Sequence, residues 1–165
     1  MSTAADTLNP YAKFLEGQDP LAVLPNTPGR LKSLAQAIGP AKINTPQAPG
    51  KWSPRDIFCH LADCETVFAF RLRQTLAEDH HQVQPFDQDK WAAPYSTIDA
   101  NEALGAFSIL RRWNLLLLSS ALPKHAAKQL THPERGTMTF ATIVETMGGH
   151  DLNHLLQLER IAGTR

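Results

Sequence analysis

His150 and His154 stand one helical turn apart in the stretch Gly148-Gly149-His150-Asp151-Leu152-Asn153-His154, near the C-terminus of a 165-residue chain. Two imidazoles at i and i+4 on one helix face can converge on a single metal ion, as they do in the HExxH helix of zinc proteases. The acid–base glutamate of that motif is absent here, so the pair offers ligation alone. At about 100° per residue, Phe140, Ile143, Val144, Leu158 and Ile161 all fall within about 60° of the direction of Met147. So do His150 and His154. Both rings therefore belong to the stripe that must face the core. A single histidine there is usually a core residue held by one hydrogen bond, but two bring ring nitrogens whose burial without partners is costly.

Two ligands do not make a stable site, and His60 is the best third candidate. It sits in the middle of a helix face that also carries Ile57, Cys64, Val67 and Arg71. Three neutral imidazoles suit Zn²⁺ or Ni²⁺ and leave coordination positions open for water or substrate. Cys64, one turn after His60, offers a fourth ligand, which would close the site and make the metal structural. Asp63, Glu65 and Asp151 are candidate acceptors for imidazole N–H groups, with Asp63 and Asp151 also candidates for a general base. Arg71, three turns beyond His60 on the same face, needs an anionic partner: a substrate carboxylate or an ordinary Glu or Asp. His80, His81, His125 and His132 lie in polar connections and are expected to be solvated.

These side chains need long helices to hold them, and the punctuation supplies four. A short helix is expected from Asn9-Pro10 to Glu16, and a brief helical piece from Leu21 to Pro25. Thr27-Pro28 reads as an N-cap with proline in the first turn, and Gly39-Pro40 ends that helix. Ser53-Pro54 starts the next by the same device, with helical spacing to about Glu78. The third begins between Thr97 and Asp99 and runs to Ala121, apolar at Leu104, Phe107, Ile109, Leu110, Trp113, Leu116 and Leu117. The last spans about Thr139 to Ile161. Two long connections remain. One runs from Asp79 to Ser96, where Trp91 is a candidate lid or plug; the other runs from Pro123 to Thr137. No strand pattern is visible. Gly148 and Gly149 either open space beside the histidines, re-aim His150 through a bulge, or break the helix. The expected fold is an all-α four-helix bundle with short N-terminal helical pieces.

The length fits one domain, residues 1–165, with 1–26 an extension packed on the bundle. Sixteen basic residues balance sixteen acidic ones, which argues against a general nucleic-acid binder. Small molecules or another protein are the expected partners. The two cysteines, Cys59 and Cys64, point about 140° apart on one helix, so two reduced thiols in a cytoplasmic protein are expected. The N-terminal MSTAADTLNP lacks the basic and apolar regions of a signal peptide. Leu115–Leu118 is too short to cross a bilayer.

The run Trp52-Ser53-Pro54-Arg55-Asp56-Ile57-Phe58-Cys59-His60-Leu61-Ala62-Asp63, followed far along the chain by His150-Asp151-Leu152-Asn153-His154, resembles the DinB/YfiT-like superfamily. His132-Pro133-Glu134-Arg135-Gly136 adds to the likeness, which covers most of the chain from about Arg30. The resemblance implies a four-helix bundle in which His60, His150 and His154 hold a divalent metal, often zinc or nickel. It implies a metal-dependent hydrolase, or a transferase or isomerase using a low-molecular-weight thiol, and frequently a homodimer. Many members carry a histidine next to the last ligand, where this chain has Asn153. Two non-enzymatic readings stand beside it: a metal- or ligand-binding stress protein with a closed site, and a metal-free bundle whose histidines bond one another.

Overall fold

The computed structural model describes residues 8–164; most of the N-terminal stretch considered above as a signal, residues 1–7, lies outside the described residues. Four long helices form the bundle: α3 (Thr27–Ile38), α4 (Pro54–Ala77), α6 (Ala100–His125) and α7 (Phe140–Ala162). Two short helices, α1 (Ala12–Leu15) and α2 (Pro20–Val23), precede them, and α5 (Gln88–Trp91) lies in the first long connection. α6 packs chiefly on α4, while α7 receives α1, α2, α3 and α4.

The helix starts follow their capping chemistry. Ser53 and Asp56 form a reciprocal capping box at the start of α4, with Pro54 in the first turn. That satisfies two N–H groups that the helix itself leaves unpaired. Thr139 and Thr142 do the same for α7. In α3 the cap position falls on Asn26, so Thr27 is already helical and its hydroxyl turns inward instead. α6 runs one turn past Ala121 and carries Pro123 within it.

The absence of strands is corrected. β1 (His81–Gln82), β2 (Gln129–His132) and β3 (Gly136–Thr139) form a small sheet in the order β1-β2-β3. β1 runs parallel to β2, pairing His81 with Leu130, and β3 runs antiparallel, pairing His132 with Gly136. Strands of two to four residues are too short to show alternation against a polar background. The period is nonetheless there, because Leu130 and His132 point inward while Gln129 and Thr131 are exposed. Gly136 turns the hairpin at φ +81°, a left-handed conformation that glycine adopts without cost.

Two apolar clusters fill the bundle. One joins Leu31, Leu34, Ile57, Phe58, Leu61, Phe107, Leu155 and Leu158. The other joins Phe68, Leu72, Leu118, Leu130, Met138, Phe140, Val144 and Met147. Along α4 and α7, the residues between these clusters are polar: His60, Glu65, His150, Asp151 and His154 are all buried. Opposite them on α6 lie Arg111 and Asn114, also buried. Phe107 and Leu118 of α6 join the core, while Ile109, Trp113 and Leu116 point the other way and are 72%, 59% and 58% exposed.

α7 passes through Gly148 and Gly149 unbroken. What the glycines admit is the N-terminal segment. A Cβ on Gly149 would collide with the backbone carbonyl oxygen of Tyr11, and one on Gly148 would lie 3.0 Å from Pro20 Cβ.

Candidate metal centre

The three sequence-selected histidines come together. His60 Nε2 lies 3.1 Å from His150 Nε2, and His154 Nε2 lies 3.2 Å from the same atom. The His60 and His154 rings meet edge to face with centroids 5.1 Å apart. Cys64 joins them, its Sγ 3.5 Å from His60 Nε2 and 3.9 Å from His150 Nε2. His60, Cys64 and His150 form a group of ligand atoms all within 4.8 Å of one another. Aromatic walls fix the rings: Trp52 lies 4.7 Å from His60 and Tyr11 stands edge-on to His150 at 5.0 Å.

Burial holds the imidazoles neutral. His60 is pushed down to about 3 by desolvation and then by its neighbour His154. His150 is held well below the usual histidine range, first by burial and then by His154 and His60. Burial also lowers His154, opposed by its bond to Gln157 and by the charge of Asp151. Cys64 is raised strongly, by burial first and then by Asp63 and Glu65, so it stands as a thiol.

Hydrogen bonding within the group satisfies only part of it. His154 Nδ1 donates to Gln157 Oε1 at 3.2 Å, so in the neutral ring Nε2 carries a lone pair. His150 Nε2 then donates to His154 or accepts from His60, but a single ring nitrogen does not do both. One of the two short contacts is left unmet, which a cation at the centre resolves. Two nitrogens at 2.0–2.1 Å from one ion, at the observed 3.1–3.2 Å separations, subtend about 100°, between octahedral and tetrahedral values. The donor set fits a divalent metal of the zinc or nickel kind.

The carboxylates are disposed differently from the sequence-based expectation. Asp151 gives both oxygens to Arg111, one at 2.9 Å, and accepts from Thr27 Oγ1 at 2.6 Å. Glu65 accepts from Arg111 at 2.7 Å and from Asn114 Nδ2 at 3.0 Å. Asp63 accepts from the Tyr95 hydroxyl at 2.6 Å, which burial and this carboxylate hold far above the usual tyrosine range. None of the three is hydrogen-bonded to an imidazole, and neither Asp63 nor Asp151 lines the cleft above the histidines. Their helical positions were legible, but the arginine that claims two of them sits on α6, remote in sequence. Arg111 is 1% exposed, with both carboxylates holding its charge.

The cleft itself has a volume of about 190 Å³ and is floored by His60, Cys64 and His150. Arg71 lines it, as do His132, Glu134 and Arg135 of the β2–β3 hairpin. Arg71 forms no salt bridge among the described residues, so the ordinary ion pair expected for it is replaced by a single bond to the carbonyl of Gln84 at 3.3 Å. His132 and His81 are buried rather than solvated, because both lie on inward-facing strand positions; His80 and His125 are exposed. Trp91 packs on Phe86 at 5.0 Å and does not line the cleft, so it is no lid over the histidines. Sequence reasoning missed Gln157 and Tyr11, whose roles depend on contacts that only the packed helices create. Both cysteines are free and buried.

The family model of the DinB superfamily matches residues 24–158. The chain belongs to the DinB superfamily. YfiT of Bacillus subtilis is 25% identical over 152 residues, covering 87% of this chain and 84% of that protein, and is named for metal-dependent hydrolysis. OB0782 of Oceanobacillus iheyensis, with the same designation, is 24% identical over 132 residues, 79% of this chain and 77% of that protein. A solved YfiT structure superposes with a TM-score of 0.74 at 24% identity, covering 87% of this chain and 86% of that one. It is described as a probable metal-dependent hydrolase with an unusual four-helix bundle topology. The superposition shows that the present chain has the four-helix bundle. No helix among the described residues is long and apolar enough to cross a membrane.

Proposed function

We propose that this DinB-superfamily protein is a metal-dependent enzyme whose divalent ion, zinc or nickel, is held by His60, His150 and His154. The observation that carries the reading is the convergence of three neutral imidazole nitrogens, with His60 and His150 lining an open cleft and His154 behind them at 3.2 Å from His150 Nε2. When bound, such an ion lowers the pKa of a coordinated water or thiol so that a nucleophile exists near neutral pH. Gln157 fixes the tautomer of His154, while Trp52 and Tyr11 hold His60 and His150 in place.

Activation of a low-molecular-weight thiol for transfer to an electrophilic small molecule suits the carboxylates best. Asp63 and Asp151 are both occupied elsewhere, and a thiol cosubstrate brings its own nucleophile and requires no protein base. Hydrolysis is the second reading, favoured by the names of the relatives. Turnover of an electrophile that requires added thiol supports transfer; equal turnover without thiol supports hydrolysis. Cys64 distinguishes a third, non-catalytic role in metal or ligand storage. If its thiolate closes the coordination sphere, Cys64→Ser will release the metal, whereas retention of metal leaves the open position that catalysis needs.

We also propose a homodimer in the cytoplasm, formed through α6. Ile109, Trp113 and Leu116 recur at i, i+4 and i+7 and make one exposed apolar stripe, the spacing of a helix that packs on a partner.

A further inference from the structure

The cleft above the histidines is lined by polar groups that donate. Arg71 Nε is buried with no hydrogen-bond partner, and the guanidinium spends one other N–H on the Gln84 carbonyl. Arg135 lines the same cleft and forms no ion pair among the described residues. His132 Nδ1 accepts from the backbone N–H of Glu134 at 3.2 Å, so the neutral ring carries its proton on Nε2 and is a donor there. Two guanidinium groups in one cleft repel each other, and a buried unpartnered Nε costs free energy of its own. Glu134 is the carboxylate that lines the cleft, but it is exposed on the hairpin turn and pairs with neither arginine.

We infer that Arg71, Arg135 and His132 form an oxyanion-binding subsite, and that the substrate or cosubstrate is a small molecule bearing a carboxylate or phosphate group. Guanidinium groups match the planar and tetrahedral oxyanions through paired charge-assisted hydrogen bonds. His60, Cys64, Phe68 and Arg71 all line the cleft from α4. His60 and Arg71 are eleven residues apart, roughly 16 Å of helix, so the arginines hold one end of a molecule whose other end lies toward the histidines. Burial is the first cause that lowers both His132 and Arg71, and the charges of this group add to it: each arginine lowers His132 further and Arg135 lowers Arg71 further. The assignment of this group as a substrate handle rests on the metal-dependent reading; the binding of an oxyanion does not.

Calorimetric titration of the tag-free full chain, metal-free and zinc-loaded, with inorganic phosphate and with malonate tests it. Wild type is expected to bind at least one of them in both metal states, and the preferred anion tells phosphate from carboxylate. Arg71→Gln and Arg135→Gln are each expected to weaken that binding at least tenfold with zinc content unchanged, whereas Arg112→Gln, an exposed arginine elsewhere, leaves it intact. Arg135 is half-buried on the hairpin turn, outside the helices, so its variant remains informative if Arg71→Gln disturbs packing. Failure of wild type to bind either anion, equal binding by Arg71→Gln and Arg135→Gln, or an equal loss in Arg112→Gln overturns the inference. Failure of wild type to bind zinc overturns the metal reading instead, and leaves the metal-free titration as the test of the subsite.

Discussion

At the scale of single residues, the polar layer divides into groups that present lone pairs and groups that only neutralise charge. Arg111 belongs to the second kind, with Glu65, Asp151 and Asn114 around it and the Leu24 carbonyl accepting at 3.0 Å. Removing it strands two buried carboxylates. Arg111→Met is therefore expected to destabilise the chain by about 3–5 kcal/mol, the usual cost of breaking a buried ion pair from one side; urea unfolding measures it. Gln157→Leu removes the acceptor that orients His154 and is expected to weaken zinc affinity about 10- to 100-fold without comparable loss of stability, as competition with a chelating dye would report. The histidines were legible in the sequence because two imidazoles on an apolar helix face contradict the local pattern. Asp63 and Asp151, read as their companions, bond to Tyr95 and Arg111 here, because helix periodicity says which way a side chain points, not which remote arginine or tyrosine reaches it first.

Among the elements, α7 decides most. Its two adjacent glycines each cost about 1 kcal/mol relative to alanine by helix propensity, and the close approach of Tyr11 and Pro20 accounts for them. Gly149→Ala gains that propensity but drives a methyl group into the Tyr11 carbonyl. A net loss of about 1–2 kcal/mol is expected, within the cost of overpacking, together with displacement of the Tyr11 ring from His150. Thermal unfolding and tyrosine fluorescence would register both. The four long helices were readable from caps, prolines and periodicity. The hairpin β2–β3 was not, since four-residue strands carry too little pattern, and the expectation of a solvated His132 followed from that omission. The run His132-Pro133-Glu134-Arg135-Gly136 did stand out by resemblance, and the structure shows its physical place as one wall of the cleft.

For the molecule as a whole, a layer of neutral histidines makes stability depend on pH. Unfolded histidines titrate near 6.5, whereas burial lowers His60 to about 3 and lowers His132, His150 and His154 as well. Below pH 6.5 the unfolded chain thus binds more protons than the folded one, so stability falls as pH falls. The metal-free chain is expected to lose stability steadily from about pH 6.5 toward pH 4, and urea midpoints across that range should decline. A flat profile would show that the rings are not held neutral. The four-helix bundle followed from the sequence; the division of its core into two clusters did not, nor did the polar layer between them that α6 completes with Arg111 and Asn114.

The central claim is that His60, His150 and His154 together hold one divalent ion. Metal analysis of tag-free wild-type protein beside His154→Ala measures it most directly. Close to one equivalent of zinc or nickel in wild type, lost in the variant while its helical circular dichroism is retained, is the expected result. Equal and negligible metal in both proteins would contradict it.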